Sequence, residues 1–295
     1  NAVFTIGDAP PNPDNYFCVS TTGTKTAGVS TTDIASFGWA NADCYHSIDA
    51  AINAMAPGDQ VWINDGTYAE AIELGSAEAG NANNYTIVRA RNAGRVKLNG
   101  DDFAMIDLRD TSYVEVWGIS VIGCGTLPVY VHEGSHHFKI RRTSWNQRTG
   151  LISTDSHHGL MEDCYAYGGP HRYAFQVNKN SHDIIFRRCL VRWDFSNISE
   201  PLACFASYTC DNIYYQNCIS IDGTDYKGVD HTYDGLKSFF TPNGSTECHY
   251  VGCISLNMDG AAGWWMEGTT AQGTLTDCVA WQSMTNAGDA SDTYK

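Results

Sequence analysis

The densest chemistry in this chain lies in one short segment. DGTDYKGVDHTYDGLK runs from Asp222 to Lys237 and packs Asp222, Asp225, Asp230 and Asp234 together with Lys227, His231, Tyr233 and Lys237 into 16 residues. Four carboxylates on one loop offer the hard oxygen ligands that a divalent cation takes, though not at the spacing of an EF-hand. Lys227, His231 and Lys237 can hold a carboxylate or accept a proton. A solvated polar loop would have a similar composition, so what decides is which elements position the segment.

Those elements are repeats. GLKSFFTPNGSTECHYVGCISLN and GWWMEGTTAQGTLTDCVAWQS follow one pattern: Gly, a short apolar strand, an Asn/Gly/Ser/Thr turn, and a second strand with Cys at a fixed place. Five similar lines precede them. Aligned on the second strand, one column reads Ile119, Thr143, Cys164, Cys189, Cys218, Cys253 and Cys278. Constant cores with loops of variable length mark a solenoid. Strands this short cannot bury a core alone, but successive coils at about 4.8 Å spacing stack like residues in columns. The expected fold is all-β, a right-handed parallel β-helix. The Cys column should be reduced interior packing, since stacked side chains point the same way and disulfide geometry is specific. The other six cysteines, Cys18, Cys44, Cys124, Cys204, Cys210 and Cys248, are open to bridging, with Cys210–Cys248 the first choice.

Three segments follow. Residues 1–15 read as a tail or linker, 16–60 as a strand and a capping helix, and 61–295 as coils that form a single domain with that cap. In DCYHSIDAAINAMAPGD, residues Ile48, Ala51, Ile52 and Met55 share a helical face, Asp43 is placed to cap the start, and Pro57-Gly58 ends it. Such a helix covers the open end of a solenoid. The repeats run from about Ala104 to Ser283, and MTNAGDASDTYK after them is no second lid. The last coil is therefore expected to be covered by something else, or to self-associate with another chain.

Alternation along the first strand of each repeat puts Ile152, Phe175, Phe205, Lys237 and Trp265 in one column. A column holding a lysine reads as the outer face. Phe175, Phe205 and Trp265, flanked by Glu267, then form a row of aromatic faces suited to sugar rings, with Lys237 among them. Cover by a loop or another chain is the alternative. The basic residues Lys139, Arg141, Arg142, Arg187, Arg188 and Arg192 read as charge pairing across coils. His136-His137 and His157-His158 occupy matching turns of successive coils and read as solvated side chains more than metal ligands.

The formal net charge of −15 argues against nucleic acid or an acidic membrane as partner. A polyanionic substrate would need local cations. No stretch reads as a membrane span. A chain that starts at Asn1 with eleven cysteines fits a processed protein, secreted or at the cell surface. Three N-x-S/T sequons start at Asn84, Asn197 and Asn243.

The string FCVSTTG, the short helix, then APGDQVWINDGTY and the coils with Cys-bearing strands resemble the pectate-lyase-like parallel β-helix proteins, above all the family nine polysaccharide lyases, with a weaker likeness to the family six alginate and chondroitin lyases. Tyr233-Asp234-Gly235-Leu236 and Met258-Asp259-Gly260 match that pattern, whereas Trp265 stands where it carries Asp. The resemblance implies a secreted enzyme that cleaves uronic-acid polysaccharides by β-elimination. Ca²⁺ on Asp222, Asp225, Asp230 and Asp234 would neutralise the sugar carboxylate, and Lys237, Lys227 or His231 would take the proton. The G-H-G signature of glycoside hydrolases of similar fold is missing. The competing expectation is a non-catalytic surface, fibre or adhesion subunit that uses its last coil and outer aromatics for chain contacts.

Overall fold

The structure, a computed structural model, describes residues 15–31, 40–146, 148–168, 172–193, 203–222, 237–241, 244–257, 262–266 and 273–281. Its strands belong to three sheets in which all strand pairs are parallel. They divide between two compact units, residues 1–144 with 158–160, and residues 145–157 with 161–295.

In the first unit, strands Tyr16–Val19, Gln60–Ile63, Thr86–Ala90, Ser112–Trp117 and His136–Arg141 form one sheet, here called the first. Gly66–Tyr68, Val96–Asn99 and Ile119–Gly123 form the second, and Ile72–Leu74, Ile106–Arg109 and Val129–His132 the third. The second unit repeats the plan. There the third sheet comprises Gly150–Ile152, Tyr173–Val177, Ala203–Ser207, Lys237–Thr241 and Ala262–Met266. Each coil runs from the third sheet through a turn to the first, then through a tight turn to the second.

The tight turn explains the cysteine column. One residue in it adopts a left-handed backbone: Asp163, Arg188, Asn217, Gly252 and Asp277 in the second unit. The Cys that follows points inward. Cys164, Cys189, Cys218 and Cys253 are buried free thiols, as expected, while Cys278, in the last described coil, is free and only partly buried. Each thiol after the first meets a backbone carbonyl of the previous coil: Cys189 with Met161 O at 3.3 Å, Cys218 with Phe186 O at 3.4 Å and Cys253 with Tyr215 O at 3.2 Å. Burial pushes the Cys189 and Cys218 thiols well above their ordinary pKa. Cys here is a small apolar side chain that also carries a weak donor to the turn.

The bridge is Cys18–Cys44, two residues that stand opposite each other in a parallel pair. Cys210 and Cys248 stay free thiols, against the sequence expectation. The register explains why: Asp211 pairs with Thr246 and Ile213 with Cys248, so Cys210 falls opposite Ser245.

Helix Ile48–Ala54 buries Ile48, Ala51 and Ile52 against Tyr16–Val19, Cys44–Tyr45, Gln60–Ile63 and Ile72–Leu74. Its cap is Ser47, whose hydroxyl accepts from the Ala50 N–H at 3.1 Å, and not Asp43.

Candidate functional site

Only part of the expected site lies among the described residues. Asp225, Asp230, Asp234, Lys227, His231 and Glu267 fall outside them, and of Trp265 only the strand position is described. Lys237, Phe175, Phe205 and Asp222 can be placed.

Phe175 and Phe205 are not on the outer face. Both are fully buried, and they stack with Phe239 and Trp264 in one interior ladder, with ring centroids 5.0, 5.0 and 5.3 Å apart. A second ladder of Phe186, Tyr215 and Tyr250, at 5.0 Å steps, packs edge-on against it. The register pairs Phe205 with Phe239 and Phe239 with Trp264, whereas Lys237 pairs with Ala203 and Ala262. The sequence alignment placed Lys237 two residues out of step, in the aromatic column. Stacked rings bury the largest apolar area each coil can offer, and that sets the register.

Lys237 begins its strand and is only 2 % exposed. Its Nζ lies 5.2 Å from the centre of the Phe240 ring. Phe240 belongs to a buried cluster with Tyr173, Ala203 and Ala206, against which Tyr208 packs. The Tyr173 and Tyr208 hydroxyls hydrogen-bond at 2.8 Å, and the Arg172 guanidinium lies 5.6 Å from the Tyr173 ring. Burial raises the Tyr173 phenol, opposed by its bond to Tyr208 and by Arg172. An amine, two phenols and a guanidinium are groups of the kinds that act as base, proton donor and anion partner. Sequence reading missed Arg172, Tyr173 and Tyr208 because Arg172-Tyr173 and Tyr208 belong to separate repeat segments, and only strand stacking unites them.

Asp222 follows the second-sheet strand Ile219–Ile221. One carboxylate oxygen lies 3.4 Å from Arg192 Nε, and the other accepts from Asn257 Nδ2 at 3.2 Å. Its oxygens are thus engaged by neighbouring coils, and no group of three or more His, Cys, Asp or Glu able to hold a metal occurs among the described residues.

Of the other basic residues, Arg141, Arg187, Arg188 and Arg192 pair with acids of neighbouring coils, as the sequence suggested, while Lys139 and Arg142 lie over the rings of Tyr85 and Trp117. Glu162, 2 % exposed, holds Arg187 at 2.6 Å and Arg188 at 2.8 Å, and Arg188 also holds Asp163 at 2.7 Å. The histidines lie in strands, not turns. In the first unit Tyr113, His137 and His158 stack at 4.5 and 4.8 Å, and His136 and His137 share a hydrogen bond between Nδ1 atoms at 2.8 Å. Burial, with the charge of His158 added, holds His136 and His137 below the usual imidazole value.

Three parallel sheets wound coil on coil make this chain a right-handed parallel β-helix, the fold of pectate lyase Pel9A. The family model for chondroitinase B matches residues 43–128, which hold the capping helix and the first coils. Among solved structures, pectate lyase Pel9A superposes with a TM-score of 0.53 at 12 % identity, over 96 % of this chain and 82 % of that one. The family six alginate lyase AlyGC gives 0.52 at 10 % identity over 80 % of this chain; the match spans 38 % of the alginate lyase's length. The deglycosylated pectin methylesterase from Aspergillus niger gives 0.50 at 12 % identity, over 97 % and 90 %. No curated protein sequence matches the chain. No helix among the described residues is long and apolar enough to cross a membrane.

Proposed function

We propose that the protein is a carbohydrate-active β-helix, secreted or at the cell surface, that cleaves uronic-acid polysaccharides by β-elimination with Lys237 as the base. The observation that supports this is the placement of the Lys237 amine beside Phe240, in the cluster that also holds the Tyr173–Tyr208 pair. In the reaction, the amine takes the proton from the carbon that bears the sugar carboxylate. That bonding pair becomes a double bond to the neighbouring ring carbon, the glycosidic C–O bond breaks, and the leaving oxygen takes a proton from a donor. Tyr173 and Tyr208 are donors of suitable type, and Arg172 is a suitable partner for the carboxylate. Structures of the same fold are described as pectate and alginate lyases, which act on acidic polymers. Calcium belongs to the proposal through Asp225, Asp230 and Asp234, and no step is assigned to it.

The near-complete burial of Lys237 favours a second reading, in which the amine is a packed polar member of the third-sheet face and the protein is a non-catalytic subunit. Exposed Val279 and Trp281 on the last described strand suit the chain contacts this reading needs. The two readings part in one assay. Wild type and Lys237→Met, which keeps the side-chain volume, are incubated with polygalacturonate and alginate with and without Ca²⁺, and the ultraviolet absorbance of the unsaturated product is followed. Loss of elimination at an unchanged melting temperature supports the base. Full activity in the variant removes Lys237 from that role. No elimination by wild type on either polymer leaves the non-catalytic reading, checked by sedimentation.

A further inference from the structure

The chain is strongly acidic, yet one corner of the first unit is not. Six of its 18 Lys and Arg residues, Arg89, Arg91, Arg95, Lys97, Arg141 and Arg142, lie where the first sheet turns into the second. The turns stack to bring them together: the Gly94 N–H donates to Gly118 O at 2.7 Å, and the Gly118 N–H to Arg141 O at 2.9 Å. Arg89, Trp117 and Arg141 face the same way on adjacent strands, as do Trp62 and Arg89.

The cations are held rather than loose. The Arg89 guanidinium sits between two indoles, 4.2 Å from Trp62 and 4.5 Å from Trp117, and Arg142 lies 5.6 Å from Trp117. Lys139 lies 4.4 Å from the Tyr85 ring. Cation–π contact fixes these groups and lowers the entropy lost when an anion binds. The corner also holds carboxylates. Glu115 lies 3.6 Å from Arg141 and shares its field with Lys139 and Arg89, and Asp65 is held by Asn92. On the third-sheet side, by contrast, Asp107 and Asp102 add to the burial that raises Glu73.

We propose that this corner is a binding surface for an acidic polysaccharide, built by the Trp62–Arg89–Trp117 stack and extended by Arg91, Arg95, Arg141 and Arg142. Guanidinium groups pair with carboxylates in two-point contacts, and cations recurring from coil to coil suit a polymer that carries one carboxylate per sugar. Duplex DNA fits less well. Its charge, one per about 1.7 Å, is far denser, and the chain's −15 repels it strongly. The surface uses none of the residues around Lys237, so it does not depend on the elimination reading.

The test is binding of polygalacturonate by calorimetry, on the Lys237→Met background so that the polymer stays intact. Arg91→Gln, Arg95→Gln and Arg142→Gln are combined, since all three side chains are exposed and their loss leaves the core untouched. Affinity should fall about tenfold in the triple variant, and binding to the unaltered corner should weaken as salt rises from about 0.05 to about 0.3 M. Glu115→Gln should instead tighten binding. The proposal is overturned by unchanged affinity in the triple variant, by equal binding of a neutral glucan, by duplex DNA bound as tightly as polygalacturonate, or by no binding of the polymer at all.

Discussion

Phe205→Ala tests the register on which every placement above rests. Phe205 is fully buried, stacked at 5.0 Å on Phe175 and on Phe239, with the edge of Tyr215 at 5.7 Å. Truncating a buried Phe costs about 3–5 kcal/mol through lost transfer energy and the cavity left behind. Two ring neighbours, each worth about 0.5–1.5 kcal/mol beyond area, place this site towards the upper half of that range, about 4 kcal/mol. In a chain of this size each kcal/mol moves the melting temperature by about 2–4 °C, so a fall of about 8–16 °C is expected. The control is Trp281→Ala, at a residue 64 % exposed, which should shift the midpoint by no more than about 0.5 kcal/mol. Urea denaturation followed by near-ultraviolet circular dichroism reads both. If Phe205→Ala loses less than about 1 kcal/mol, the ring faces outward, the interior ladder is wrong, and the outer aromatic row read from the sequence returns.

Gly159→Ala should also destabilise, because a Cβ there would stand 2.0 Å from Phe138 Cζ and the buried ring cannot retreat; overpacking of this kind costs about 1–3 kcal/mol, readable in the same denaturation assay, and a neutral result would mean that Phe138 has room. The His136–His137 pair should make stability fall with acid. Both imidazoles are depressed below 6.5 in the folded state, so the unfolded chain binds more protons and stability drops as pH falls through 6.5 towards the folded values. His136→Gln/His137→Gln should flatten that slope, and an unchanged slope would place its origin elsewhere.

The coil plan was legible because its columns are written in residue types that permit little else. The cysteine column came out in register because a small inward side chain follows a left-handed turn residue in every coil, and the turn has a fixed length. The third-sheet register was not legible. Lys237, Phe239 and Thr241 alternate along one strand, and a lysine in that set argues for an outer face. What the sequence hides is that interior polar groups find partners across the width of their own coil: Ser207 meets the Tyr215 hydroxyl at 2.7 Å, and Thr241 pairs with the Tyr250 hydroxyl. Phenols at the end of one ladder satisfy hydroxyls at the end of the other, so polar residues stand inside at little cost. The Cys18–Cys44 bridge was hidden for a related reason, since it depends on two strands of different coils lying opposite each other.

The distribution of charge bears on how such a chain could meet an acidic polymer. At a net −15 the molecule repels a polyuronate at long range. In about 0.15 M salt that repulsion is screened beyond roughly 8 Å, so the local field decides contact. The third-sheet side of the first unit carries Glu73, Asp102 and Asp107, whose mutual repulsion raises Glu73 further once burial has begun to do so. A carboxylate polymer laid there would add to the same repulsion. The corner between the first and second sheets has the opposite balance, with Arg89, Lys139 and Arg141 acting on the one carboxylate of Glu115. Glu115 responds mainly to its own burial, which raises it, while the three cations pull it down. A carboxylate polymer laid at the corner, as proposed, would meet cations already ordered by ring contacts and by Glu115.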